Sequence, residues 1–147
     1  MSLLSIGLCV LAPLGACPPA DRPPPGPPPR PMYGRLHPPP AWVSIGARRV
    51  WLSTGSFCWM DGRRGICVDG RLPRRPVLRV APGEQLRFHL RFTPRMAHLS
   101  APGFQGRLPA FRTIGWTVPE RTGRGTLSLL VRARSGSASY GGTLVVR

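Results

Sequence analysis

Apolar and polar residues alternate along two stretches of this chain. In residues 85–92 every second side chain is apolar and the side chains between them are polar. Residues 127–134 repeat the alternation, except that Leu130 is apolar on the polar side. A period of two places alternate side chains on opposite faces of a β-strand, so both stretches are predicted to be half-buried strands.

The chain after residue 40 continues as short apolar runs between turn residues. Pro82-Gly83, Pro102-Gly103 and Ser135-Gly136 mark turns, and we find no helical period longer than one turn. Short strands with turns at intervals of about eight to twelve residues predict an all-β fold, an antiparallel Greek-key β-sandwich over residues 41–147. Its other predicted strands are Trp42–Ile45, 49–53, Val77–Val80, 96–100 and a last strand with Tyr140, Leu144 and Val146 on one face.

Residues 57–68 have the pattern of a β-hairpin around a two-residue turn, Gly62-Arg63. Counting outward from this turn places Cys58 opposite Cys67 at a non-hydrogen-bonded pair, where the Cα separation suits a disulfide. We predict that disulfide on the outer face; free thiols are the alternative for a cytosolic protein. The apolar face predicted to point into the core consists of Phe57, Trp59, Ile66 and Val68.

Residues 18–40 contain 12 prolines in 23 positions. Proline fixes φ and lacks an amide hydrogen, so this segment is predicted to be a disordered polyproline II tether, without helix or central strand. Recognition of its Pro-x-x-Pro motifs by a partner domain is the rival interpretation.

The tether follows an uncharged apolar leader, residues 1–16, that ends in Leu14-Gly15-Ala16-Cys17. This motif resembles the lipobox of bacterial lipoproteins. The resemblance implies cleavage before Cys17, lipid attachment at Cys17, and an extracytoplasmic location with the membrane as partner. The leader departs from the usual pattern because it lacks Lys and Arg, and a short apolar strand of a cytosolic protein is the alternative.

Two parts of the predicted sandwich, residues 80–88 and 136–147, resemble bacterial immunoglobulin-like and cupredoxin-like domains. A cupredoxin copper site needs two His, a Cys and usually a Met clustered near the last loop. Residues 132–140 contain none of these, so we predict no metal and no cofactor.

Charge is the most extreme feature of the composition. The 21 basic residues are all arginine against 5 acidic residues, which gives a net charge of +16. A GC-rich genome explains arginine in place of lysine but not the scarcity of acids, so the positive field is expected to attract polyanions. The candidate anion-binding residues are Arg87 and Arg91, with His89 between them on a polar face, and Arg132 and Arg134 on the second alternating strand.

If those two strands are neighbours, the four arginines form a basic ribbon. Arginine donates two parallel hydrogen bonds to phosphate or carboxylate. Nucleic acid ranks below envelope polymers and anionic lipids as partner, because the predicted faces turn most aromatic rings inward.

Catalytic motifs are absent from the sequence, and four of the five carboxylates lie in the tether or beside turn residues. The sequence therefore predicts a non-catalytic structural or binding module at the cell envelope. The alternatives are a secreted enzyme or enzyme subunit that uses Glu120 or Asp69, and a cytosolic nucleic-acid binder.

Overall fold

The computed structural model describes residues 22–121 and 123–147. The predictions for the leader and for Cys17 fall outside these residues. The described chain contains one short 3-10 helix, Gly34–Leu36, and none of its helices has the length and apolar character that a membrane span requires. Its strands are β1 Trp42–Ile45, β2 Arg48–Trp51, β3 Ser53–Asp61, β4 Arg64–Val68, β5 Val77–Val80, β6 Gln85–His89, β7 Met96–Ala101, β8 Phe104–Leu108, β9 Thr113–Thr117, β10 Gly123–Ala133 and β11 Gly136–Val146.

The strands form two sheets. The four-stranded sheet has the order β2-β1-β6-β9, and the seven-stranded sheet has the order β4-β3-β11-β10-β7-β8 with β5 added beside β11. All pairs are antiparallel except β5 with β11, which is parallel. The structure therefore confirms the predicted all-β sandwich and adds one parallel pair to its antiparallel sheets.

The core lies between the two sheets and follows the period-two pattern. Leu86 and Phe88 of β6 and Leu127 and Leu129 of β10 are fully buried in one cluster. Tyr140 of β11 is the largest fully buried side chain, and burial raises the pKa of its hydroxyl. Because alternate side chains point inward from both sheets, one continuous core holds the sandwich together.

The hairpin formed by β3 and β4 has the predicted register. Phe57 pairs with Val68, and Cys58 pairs with Cys67. The two cysteines are joined in a disulfide with a Cα–Cα distance of 4.0 Å. Both are exposed while Phe57 is buried, so the disulfide lies on the outer face as predicted. Gly62 has a φ of 62°, as the first position of a type II′ turn requires.

The described part of the proline-rich segment lies against the sandwich. The prediction that it contains no helix is wrong at Gly34–Leu36, a 3-10 turn in a stretch between two proline runs. The Tyr140 hydroxyl donates to the Pro39 carbonyl at 2.7 Å. The His37 ring stands edge-on to Phe57 with centroids 4.8 Å apart. Burial lowers the pKa of His37, so its imidazole is neutral at pH 7 in this contact. These contacts fasten the end of the tether next to the domain, a feature that proline content alone did not predict.

Candidate functional site

The structure places the four candidate arginines in two different sheets. Arg87 lies in β6 and Arg91 just after it, in the four-stranded sheet. Arg132 lies in β10 of the seven-stranded sheet, and Arg134 lies in the turn that follows. Because β6 and β10 are not neighbours, the basic ribbon considered from the sequence does not form.

A loop nevertheless joins Arg91 to Arg132 and Arg134, whereas Arg87 lies farther back along β6 and is not part of this group. Residues 90–95 cross from β6 in one sheet to β7 in the other. At the far side of this loop the Arg95 amide donates to the Arg132 carbonyl at 2.7 Å. Arg91 and Arg132 therefore belong to the same end of the sandwich, although their strands lie in different sheets.

Arg112 is fixed to the same loop. The Leu90 amide donates to the Arg112 carbonyl at 2.7 Å, and Nε of Arg112 donates to the Thr93 hydroxyl at 3.1 Å. This end of the sandwich therefore gathers five exposed arginines, which we call the arginine end: Arg91, Arg95, Arg112, Arg132 and Arg134.

The hairpin tip adds charge beside the arginine end. The Met60 amide donates to the Ser135 carbonyl at 2.8 Å, which holds the tip next to the turn between β10 and β11. The tip carries Arg63 and Arg64, and Asp61 lies opposite Arg64 in the backbone register of the hairpin. Positive charge therefore exceeds negative charge at this end, and an approaching polyanion is attracted.

A cleft of about 320 Å³ opens between the arginine end and the outer face of the four-stranded sheet. Its floor is the Trp42 indole stacked on His89, with centroids 3.6 Å apart and an interplanar angle of 9°. The Ser44 hydroxyl and Nε2 of His89 lie 2.9 Å apart. The cleft is lined by Pro23, Trp42, His89, Leu90, Arg91, Arg112 and Thr113.

His89 differs from the sequence prediction. It is on the outer side of β6, as predicted, but it is only 5% exposed and so is not part of a solvated polar face. The cause is Trp42, which is paired with His89 in register across β1 and β6 and covers its ring. Next to this stack, the Arg91 guanidinium lies over the Trp51 ring at 5.8 Å, which holds the charge at the rim of the cleft.

Among the acidic residues predicted to lie in turns, Glu84 makes a hydrogen bond within its turn. Oε2 of Glu84 accepts a hydrogen bond from the Ala81 amide at 3.0 Å within the turn before β6. Asp69 and Glu120, the residues of the enzyme alternative, are both exposed. Over residues 22–121 and 123–147, no group of three or more His, Cys, Asp or Glu side chains is placed to hold a metal ion.

Sequence reasoning missed Arg95, Arg112 and Trp42 as parts of this site. Arg95 and Arg112 lie in loops, where no periodicity marks their direction. Trp42 shares its face of β1 with Ser44, which is a weak signal for an outward face, but its large apolar ring reads as a core residue.

Comparisons with protein-family models, with curated protein sequences and with solved structures found no match to this chain.

Proposed function

We propose that this chain is a non-catalytic module of the bacterial cell envelope, anchored by lipid on Cys17, whose arginine end binds a phosphate-rich envelope polymer or anionic lipid headgroups. The lipobox-like motif Leu14-Gly15-Ala16-Cys17 supports the anchor, and a disulfide is typical of an exported domain. The observation that supports the ligand class is the loop of residues 90–95, which joins arginines of both sheets into one exposed cluster.

The chemistry of the arginine end fits an extended anion better than a single small one. The five guanidinium groups are exposed, and arginine forks donate two parallel hydrogen bonds to each phosphate. Exposed charge pairs are weak individually and are screened by salt. Affinity therefore depends on several phosphates that bind together, as a polymer or a headgroup surface provides.

Removing charge from the arginine end is expected to reduce binding to polyanions more than removing the same charge elsewhere. The test variant is Arg91→Gln/Arg132→Gln. The matched control is Arg124→Gln/Arg147→Gln, because Arg124 lies roughly 26 Å from Arg132 along β10 at about 3.3 Å per residue. The measurement is the salt concentration that elutes each full-length variant from immobilised poly(glycerol phosphate) and from a neutral polymer.

The test variant should elute from the phosphate polymer at clearly lower salt than the control variant and wild type. Equal elution of the two variants would contradict the site, and equal retention on the neutral polymer would contradict the ligand class. Vesicles of phosphatidylglycerol and of phosphatidylcholine, used in the same comparison, separate lipid headgroups from wall polymer.

One observation favours nucleic acid as a second candidate ligand. Phe111 is 66% exposed and is adjacent to Arg112, so an outward ring does lie at the arginine end. Bases stack on such rings, whereas a poly(glycerol phosphate) chain has no base to stack. Under this second candidate, Phe111→Ala should weaken retention of a single-stranded oligonucleotide and leave retention of the phosphate polymer unchanged, and equal effects on both would contradict base stacking at Phe111.

The proposed lipid on Cys17 and the disulfide determine the intact mass expected for the native protein. Residues 1–16 should be missing, a diacyl group should be present, and the mass should be two hydrogens lower than that of the dithiol. Mass spectrometry of protein purified from membranes measures all three. An uncleaved N-terminus with both thiols reduced would contradict export and would favour the cytosolic alternative.

A further inference from the structure

The start of the described chain, residues 22–25, lies across the outer face of the four-stranded sheet. Pro23 lines the cleft together with Trp42, and Pro24 is buried. Nη1 of Arg49 donates to two carbonyl oxygens of this segment, that of Arg22 at 3.3 Å and that of Pro23 at 3.2 Å. The proline-rich chain is therefore seated on specific side chains of the sandwich.

These contacts are the ones by which proteins recognise polyproline II. A proline-rich ligand is already extended before it binds, because proline fixes its own φ and confines the preceding residue to extended conformations. A receptor supplies an aromatic wall for the proline rings and hydrogen-bond donors for the free carbonyls. Here Trp42 and Pro23 line the same cleft, which places an aromatic ring beside the segment, and Arg49 supplies the donor.

The sheet holds this receptor surface in place without help from the segment. Trp42 is paired in register with Trp51 on one side and with His89 on the other. Arg49 is paired with Ser44 on the same outer face. Trp42 is only 4% exposed, although it points away from the core cluster, so neighbours on the outer face cover its ring.

We propose that the outer face of β1 and β2 is a docking groove for a proline-rich extended chain, and that residues 22–25 of the same chain occupy it in cis. The partner is a protein segment with an Arg-Pro-Pro-Pro type sequence, which binds when the cis segment leaves. Arg49 and Trp42 carry this interaction. Trp42 lies in the cleft beside the arginine end, but neither residue is one of its five arginines, so the proposal does not rest on the proposed anion binding.

The experiment uses the full chain and a fluorescein-labelled peptide that copies residues 21–29. A segment linked in cis competes with the free peptide at a high effective concentration, so wild type should bind the peptide weakly. The variant Pro23→Gly/Pro24→Gly loses the preformed extended shape of the segment. It should bind the peptide at least tenfold more tightly in fluorescence anisotropy.

Adding Arg49→Gln to this opened variant should abolish the gain. The matched control is Arg48→Gln, because Arg48 lies on the same strand with the same charge but donates to the Arg79 carbonyl instead. The control should keep the tenfold gain, and circular dichroism should show that all variants are folded.

Three results would overturn the proposal. One is equal peptide affinity for the wild type and the opened variant. Another is an equal loss of peptide affinity when Arg48→Gln or Arg49→Gln is added to the opened variant. That result would show that the interaction depends on overall positive charge and not on the hydrogen bonds of Arg49. The third is a wild-type dimer that the free peptide dissociates, since it would assign the groove to residues 22–25 of a second copy.

Discussion

Replacing Tyr140 by alanine is expected to lower the free energy of unfolding by roughly 3 to 5 kcal/mol. Tyr140 is fully buried in the core between the sheets, so the truncation removes apolar contacts and leaves a cavity. Domains are stable by only about 5 to 15 kcal/mol, so this one change removes a large fraction of the total. Urea titration followed by circular dichroism measures the loss.

Two further variants separate the contributions at Tyr140. Tyr140→Phe keeps the ring and removes the 2.7 Å hydrogen bond to the Pro39 carbonyl, so its cost is expected to be about 1 to 3 kcal/mol. Tyr33→Ala removes the same side chain from a position that is 38% exposed, at a cost of about 1 kcal/mol or less. A loss from Tyr140→Ala no greater than that from Tyr33→Ala would contradict the core assignment.

Reducing the Cys58–Cys67 disulfide is expected to lower the free energy of unfolding by about 2 to 3 kcal/mol. The two cysteines are separated by 9 positions, so the bridge closes a short loop and restricts the unfolded chain accordingly. Both residues are exposed, so a soluble dithiol reaches the bridge in the folded protein. Urea midpoints with and without reductant measure the difference.

The double variant Cys58→Ala/Cys67→Ala is the control for this measurement. It should unfold at the same midpoint with and without reductant, and close to the midpoint of the reduced wild type. Equal stability of the oxidised and reduced wild type would show that the bridge does not constrain the unfolded chain.

Local patterns predicted most of the fold. β5 has the predicted bounds, and β1 does as well. β8 and β9 were missed, because each has a central glycine and too few alternating apolar residues to show a period of two. β3 was predicted only from Phe57 onward. Its first residue, Ser53, was assigned to the preceding predicted strand, 49–53, and the next two residues, Thr54 and Gly55, resemble a turn.

The candidate site was predicted less completely than the fold. Arg87, Arg91, Arg132 and Arg134 were chosen from the polar sides of two strands, and all four are exposed. The positions of these arginines relative to one another could not be predicted from the sequence, because they depend on which sheet each strand joins. The same reason hid Arg95 and Arg112, which a loop between the sheets brings to the arginine end.

The sequence by itself determined the features that depend on neighbouring residues. The two-residue turn at Gly62-Arg63 sets the hairpin register, and the period of two then sets which face carries the disulfide. The tertiary structure alone decided the pairings between distant strands, the meeting of arginines from two sheets, and the hydrogen bonds from Arg49 to the carbonyls of Arg22 and Pro23. These contacts join residues far apart in the chain, and their geometry follows from how the two sheets pack rather than from any local pattern.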